Sequence, residues 1–340
     1  MNLNGIKINR CGLLVIFVIA VMLLYYANLS SDGGNGKSNL TNIRQLIIGS
    51  VEAAVNGGKE VVLISETKNL DLKSKGKTRE GANDPVTNAD LRSHCVMYYG
   101  LNKMFPNIKI ISEEKVSEAE CPVKKPLELD STLLHSDVHK LLDENVNTED
   151  ITVWIDPLDA TQEFTESLYH YVTTMVCVAV RGKPIVGIIH FPFTQKTYWA
   201  WIGNTASDSL LDIKNKPVTE KTENAAPTFI VSRSHAGGVS NITKTAFGAQ
   251  TKVIPAGGAG YKAIQVAQGN ATVYIHTTVI KKWDICAGNA ILNYLDGDMT
   301  TLVGDKIDYS STSNPKNEGG LLAALKDHKM YVEQLKSRFK

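Results

Sequence analysis

The stretch Ile151-Thr152-Val153-Trp154-Ile155-Asp156-Pro157-Leu158-Asp159-Ala160-Thr161 constrains this chain more than any other. Its first five residues are β-branched or aromatic and predict a strand. Pro157, which has no amide hydrogen for a ladder, predicts that the strand stops there with Asp156 at the sheet edge. Asp159 follows within one turn. Two carboxylates in so small a volume repel each other unless a proton or a cation sits between them, and a divalent metal is the simpler occupant. Thr161 offers a hydroxyl that caps the next helix or orients a water, and Glu163 adds a third acid with no evident role. Alone, the stretch reads as an Asp-Pro turn with solvated acids. Its meaning depends on partner segments elsewhere.

Such partners recur along the chain. The charged segment 68–80 predicts a loop or hairpin leading into Asp84-Pro85-Val86-Thr87-Asn88-Ala89-Asp90. Thr87 or Asn88 caps a helix carrying Leu91, Cys95, Val96, Tyr99 and Leu101, which puts Asp90 in its first turn. A strand at 108–111 runs out into Ser112-Glu113-Glu114. An apolar strand thus ends in acids twice, and ligands of open α/β sheets bind at strand ends. Between those strands, 115–150 is a polar insertion with a modest helical pattern at 136–143, long for a connection inside a domain. Strand-like runs at 171–180, 184–190 and 196–201, separated by short turns, predict an antiparallel meander. A strand at 228–231 empties into Ser232-Arg233-Ser234-His235. Another at 253–254 precedes Pro255-Ala256-Gly257-Gly258-Ala259-Gly260-Tyr261-Lys262. That glycine-rich opening of a helix is an anion site with Lys262 adding charge. It is neither a Walker loop nor a Rossmann fingerprint, because the glycine spacing differs and no Ser or Thr follows Lys262. After a strand at 273–275, Lys281-Lys282-Trp283-Asp284-Ile285-Cys286-Ala287-Gly288 opens a helix with Asp284 in its first turn, and 321–335 reads as a closing helix.

Upstream, Leu40, Ile43, Leu46, Ile47, Val51 and Ala54 recur at helical spacing, an amphipathic helix. Before it, 11–27 runs without a charge, and roughly 17–25 apolar residues cross a bilayer. Lys7 and Arg10 precede this run, and small polar residues follow it. The pattern predicts a type II signal anchor: a cytoplasmic tail at 1–10, a membrane helix at 11–27, a stalk at 28–38 and a body at 39–340 outside the cytosol. Sequons make Asn39, Asn241 and Asn270 glycosylation candidates, while Asn28 lies too close to the membrane. Cys95, Cys121, Cys177 and Cys286 then occupy a compartment that permits disulfides; their pairing stays open, and Cys177 reads as a buried thiol in a strand. With 36 basic and 35 acidic side chains, nothing in the bulk charge advertises a nucleic-acid polymer, so a small ligand is expected. Composition leaves a homodimer open.

Asp90, Glu113, Asp156, Asp159 and Asp284 form an oxygen-only set, which suits Mg²⁺ far better than zinc, and carboxylate-held Mg²⁺ mostly serves phosphoryl chemistry. Asp156-Pro157-Leu158-Asp159-Ala160-Thr161 and Trp283-Asp284-Ile285-Cys286-Ala287-Gly288, with Val86 to Asp90 and Ser112-Glu113-Glu114 in the same order, resemble the inositol monophosphatase superfamily of lithium-sensitive, Mg²⁺-dependent phosphomonoesterases. The resemblance runs from the first amphipathic helix to the C-terminus. It implies an α/β fold, the layered α-β-α-β-α sandwich shared with fructose-1,6-bisphosphatase. It implies that Glu113, Asp156 and the Leu158 carbonyl hold one Mg²⁺ and that Asp156, Asp159 and Asp284 hold a second. Glu113 and Asp90 would border a third, weaker ion, and Asp90 with Thr161 would activate the attacking water. The chain departs from the family pattern at Ala160, where glycine is usual.

Within the superfamily, the insertion and the segments around Ser232, Lys262 and Lys281 resemble the 3'-nucleotidase branch. That implies removal of the 3'-phosphate from adenosine 3',5'-bisphosphate, a by-product of sulfotransferases, and a luminal body behind a type II anchor would place this in the Golgi lumen. Ser232, His235 and Lys262 would face the 5'-phosphate and nucleoside, and Arg233 would be structural. The competing expectations are a luminal inositol phosphate phosphatase with the same metal centre and a membrane-tethered binding protein without catalysis.

Overall fold

The computed structural model describes residues 18–23, 39–77, 83–123, 125–130, 132, 141–216, 226–233 and 236–336. The chain divides into two units, Met1–Leu40 and Thr41–Lys340. In the first, 18–23 are helical and exposed. The tail expected at 1–10, the stalk at 28–38 and the rest of the anchor at 11–27 lie outside the described residues, among which no helix is long and apolar enough to cross a membrane.

After a short strand β1 (Leu40–Asn42), Asn42 starts helix α1 (Ile43–Thr67) by accepting the Gln45 amide at 3.0 Å. The hairpin β2 (Lys73–Lys77) and β3 (Asn83–Val86) follows, as the charged segment predicted, then α2 (Asn88–Met104). Next come β4 (Lys109–Ser112), β5 (Asn145–Asn147), β6 (Ile151–Asp159), the single turn α3 (Thr161–Thr165) and the expected meander β7 (Thr173–Val180), β8 (Lys183–Phe191) and β9 (Lys196–Trp201). The C-terminal half holds α4 (Asp208–Asn215), β10 (Thr228–Ser232), α5 (Ala236–Phe247), β11 (Lys252–Ala256), α6 (Ala259–Ala267), β12 (Val273–His276), β13 (Ile280–Lys281) and α7 (Lys282–Tyr294). It closes with β14 (Asp298–Thr300), β15 (Lys316–Asn317), β16 (Leu321–Ala324) and α8 (His328–Lys336).

Two five-stranded sheets, ordered β4-β6-β7-β8-β9 and β11-β10-β12-β16-β14, carry the layers. Alternation along the first sheet sends Val153, Ile155 and Val176 toward α1 and α2, and Trp154, Met175 and Cys177 toward α6, α7 and the second sheet. Both faces are buried, so these strands read as nearly continuous apolar runs. On the outer face of the second sheet, Phe229, Val231, Ile275 and Leu322 pack with Val239 of α5 and Tyr331 and Leu335 of α8. The result is the expected sequence of layers: helices, sheet, helices, sheet, helices.

Three expectations need correction. Pro157 does not end its strand: β6 continues to Asp159, with a break in register against β7 between Asp156 and Asp159. The missing amide hydrogen falls in that irregularity, where no ladder bond is required of it. Nor is 321–335 one helix. Leu321, Leu322, Ala323 and Ala324 are all buried in a strand between β12 and β14, and the helix begins only at His328. A run of four apolar residues has no periodicity to separate a two-sided strand from a buried helix. Cys177 is not a thiol but is bonded to Cys286, and Cys95 is bonded to Cys121. Most of the pattern at 136–143 lies outside the described residues. Asn39, Asn241 and Asn270 are exposed, Asn241 on α5.

Candidate metal centre and active site

Because β4 and β6 run parallel, their C-terminal ends lie side by side, and the Glu113 amide donates to the Ile155 carbonyl at 3.1 Å. This brings Glu113 next to Asp156. Helix α7 begins across from them and supplies Asp284, whose carboxylate accepts the Lys281 amide at 3.0 Å. Carboxylate oxygens of Glu113, Asp156 and Asp284 lie within 4.8 Å of one another. Burial, and then the neighbouring acids, push Asp156 and Asp284 well above the carboxylate range; burial pushes Glu113 up to about 7 against the pull of Lys75. Three such acids hold their charge only with a cation among them.

One cation is already close. The Lys75 ammonium, from β2, lies 2.8 Å from Glu113 and also pairs with Glu114. Burial opposes its charge, but the two glutamates hold it above the ordinary lysine range. Sequence reasoning missed Lys75, which falls at the register break of β2 between Ser74 and Gly76, so the alternation of Lys73, Lys75 and Lys77 does not by itself say where it points.

Asp90 and Thr161 meet as expected. Thr161 Oγ1 donates to Asp90 Oδ1 at 2.9 Å and lies 3.1 Å from the Leu158 carbonyl. The other oxygen, Oδ2, accepts the amide and the hydroxyl of Thr87, both at 2.7 Å, as part of a capping box at the start of α2. Burial raises Asp90 to about 6, against those hydrogen bonds. Ala160, between Leu158 and this pair, has φ +70°. Glycine adopts that left-handed conformation freely, whereas alanine pays about 1–2 kcal/mol, so the departure at 160 has a backbone cost.

Asp159 lies beside the triad rather than in it. Its Oδ1 accepts the Ala259 amide at 3.0 Å, and its Oδ2 accepts the Gly260 amide at 2.8 Å and the Thr173 hydroxyl at 3.1 Å. The glycine-rich N-terminus of α6 does hold an anion, but the anion is Asp159 rather than a substrate phosphate. A side chain at Gly260 would put its Cβ 2.6 Å from Thr173 Oγ1 and 2.7 Å from Met175 Sδ, which explains the glycine. Burial raises Asp159, opposed by Lys262 and those amides. Each carboxylate oxygen has two lone pairs, so Asp159 keeps capacity for an ion.

A cavity of about 500 Å³ opens over the centre, lined by Glu113, Asp159 and Asp284 and by Ser232, Lys262, Tyr274 and Trp283. Ser232 and Lys262 therefore reach the expected site, while His235 lies outside the described residues. Lys262 is buried; its ammonium donates to the Gly258 carbonyl and lies 5.2 Å from the Tyr274 ring centre. Burial lowers its pKa against the pull of Asp159, Glu163 and Asp284. Arg233 bonds Glu163 at 3.0 Å and Glu166 at 2.8 Å, which gives Glu163 a partner. The converging donors are all hard carboxylate oxygens in excess over their one lysine, a set that fits Mg²⁺.

The inositol monophosphatase family model matches residues 42–336. The chain is 46% identical over 343 residues to inositol monophosphatase 3 of Danio rerio, covering 97% of this chain and 96% of that protein. It is 42% identical over 363 residues to the Golgi-resident adenosine 3',5'-bisphosphate 3'-phosphatase of Mus musculus, covering 97% of each. Among solved structures, the extragenic suppressor protein suhB of Bartonella henselae shares the fold with a TM-score of 0.63 at 19% identity, over 86% of this chain and 98% of that one. Such a match, spanning both sheets and every acid of the centre, means that the chain belongs to the inositol monophosphatase family, as a phosphatase acting on phosphoric monoesters.

Proposed function

We propose that the chain hydrolyses the 3'-phosphate of adenosine 3',5'-bisphosphate to AMP and phosphate on the luminal side of the Golgi membrane, held there by residues 11–27. The observation that carries this reading is the cavity in which Glu113, Asp159 and Asp284 meet Ser232, Lys262 and the aromatic side chains of Tyr274 and Trp283. Acids and a metal serve one phosphate, and the polar and aromatic lining suits a nucleoside. The name of the Mus musculus relative supports the substrate and the compartment, and two disulfides suit an oxidising lumen.

Glu113, Asp156 and the Leu158 carbonyl would hold one Mg²⁺, and Asp156, Asp159 and Asp284 a second, with Glu113 and Asp90 beside a third, weaker site. Bound there, Mg²⁺ supplies charge neutralisation to the phosphoryl group and acidity to water. The chain's own residues do the positioning. Thr161 donates a hydrogen bond to Asp90, so its oxygen lone pairs are free to accept a hydrogen bond from a water, and Asp90 is buried where it can receive a proton near neutral pH. Water oxygen bonds to phosphorus and passes a proton toward Asp90 as the bond to the 3'-oxygen breaks, and the 3'-oxygen takes a proton from a solvent water, leaving as the hydroxyl.

The test compares phosphate release by the full chain in detergent from adenosine 3',5'-bisphosphate, 5'-AMP and inositol 1-phosphate. A clear preference for the bisphosphate is expected. Preference for the inositol ester would replace this reading with its rival, an inositol phosphate phosphatase on the same centre, which the name of the Danio rerio relative supports. A mobility shift on endoglycosidase treatment, through Asn39, Asn241 or Asn270, checks the luminal side.

A further inference from the structure

Strand β12 sends one polar group from the second sheet toward the metal centre. Its alternation turns Val273 and Ile275 outward to α5 and α8, and Tyr274 inward with Ile230 to the layer of α6 and α7. Tyr274 is almost wholly buried, and the Lys262 ammonium lies 5.2 Å from its ring centre. It also lines the cavity over the acids. Its hydroxyl nevertheless has no hydrogen-bond partner among the described residues. A buried hydroxyl left unpaired carries the full cost of leaving water, and buried tyrosines usually find a partner.

The groups that face this hydroxyl narrow what it serves. Burial, and then the charges of Asp159 and Asp284, hold the phenol well above its ordinary value, so it stays a proton donor. Asp159 already accepts the Ala259 and Gly260 amides and the Thr173 hydroxyl. The donor to Asp284 is the Lys281 amide, on Oδ2, which leaves Oδ1 without one among the described residues. The Lys281 charge draws the Asp284 carboxyl down, but neither it nor Lys77 or Lys316, which also line the cavity, forms a salt bridge with Asp284. Trp283 Nε1 is unpartnered as well, but its ring leans on Trp154 and Lys281 rather than on the acids.

We infer that Tyr274 is a positioning residue for the Mg²⁺ assigned to Asp156, Asp159 and Asp284: its hydroxyl donates to the oxygens that surround that ion, and a group unpaired in the metal-free protein becomes paired when the ion binds. This rests on the proposed placement of that ion and not on the identity of the substrate. Carboxylates that hold a metal are themselves oriented by hydrogen bonds, and removing such a donor weakens the metal while leaving its ligands in place. Phenylalanine keeps the ring that faces Lys262 and removes only the hydroxyl.

The experiment compares the full chain in detergent with its Tyr274→Phe and Asp284→Asn variants, by calorimetric titration with Mg²⁺ and by thermal melting in EDTA and in saturating Mg²⁺. Tyr274→Phe should raise the Mg²⁺ dissociation constant about tenfold. In EDTA it should melt at or above the wild type, because the lost hydroxyl had no partner to lose, and in Mg²⁺ below it. Asp284→Asn should lose the same binding step. A Tyr274→Phe chain with wild-type Mg²⁺ affinity, or one whose melting temperature falls equally in EDTA and in Mg²⁺, overturns the inference: the hydroxyl would then serve the fold alone. An Asp284→Asn chain that binds Mg²⁺ as the wild type does overturns the placement of the ion, and this inference with it.

Discussion

Asp156 has Glu113, Asp159 and Asp284 around it and is almost fully buried, so its charge is costly without an ion. Asp156→Asn removes that charge while keeping the shape. Turnover should fall by at least about a thousandfold. The metal-free protein should become more stable by on the order of 1–3 kcal/mol at pH 8, because the carboxyl no longer has to take up a proton to be buried. A variant that lost activity and stability together, read by thermal melting in EDTA, would instead place Asp156 among the structural residues. At this scale the sequence was a good guide to the triad and to the Asp90–Thr161 pair, since a strand end or a first helical turn fixes where each of those side chains can go. Lys75 was hidden because its partners, Glu113 and Glu114, are brought to it only by the hairpin's return over the sheet.

Helix α6 shows what local patterns leave out. Its glycine-rich start was legible as an anion site, but which anion it holds depends on the second sheet docking near the end of β6, a contact between residues 100 apart. Gly260→Ala tests the arrangement, because the added Cβ must push Thr173 or Met175 aside. The expected loss is about 1–3 kcal/mol of stability together with a higher Mg²⁺ requirement for turnover, the second because Asp159 loses a firm support. An unchanged Mg²⁺ titration would detach the Asp159 clamp from the metal centre. The same limit applies to Cys177, which reads as a core residue in β7 until α7 brings Cys286 against it.

For the whole molecule, the raised acids tie metal, proton and fold together. A carboxyl whose pKa is higher folded than unfolded stabilises the fold fully below the unfolded value and loses that contribution as pH rises through the folded one. Glu113, at about 7, and Asp90, at about 6, put this loss between roughly pH 4 and 7 in the metal-free protein, and Asp156 and Asp284 extend it upward. Mg²⁺ requires the ionised carboxylates, so the rise in melting temperature that it produces should be small at pH 5 and grow toward pH 8. His94 and His190, whose burial lowers them to about 4, contribute alike with and without the ion and cancel from that difference. A Mg²⁺ shift independent of pH would mean that the ion binds away from these acids.

The position of β16 carries this to the moment of synthesis. Among the described strands it is the last to leave the ribosome, yet it lies inside the second sheet, between β12 and β14. The nascent chain therefore exposes Glu113, Asp156 and Asp284 long before their surroundings are complete. A premature stop ahead of Leu321 would leave an unfilled gap in the sheet rather than a trimmed edge, so cellular quality control would meet such a product as an unfinished protein and not as a shorter enzyme.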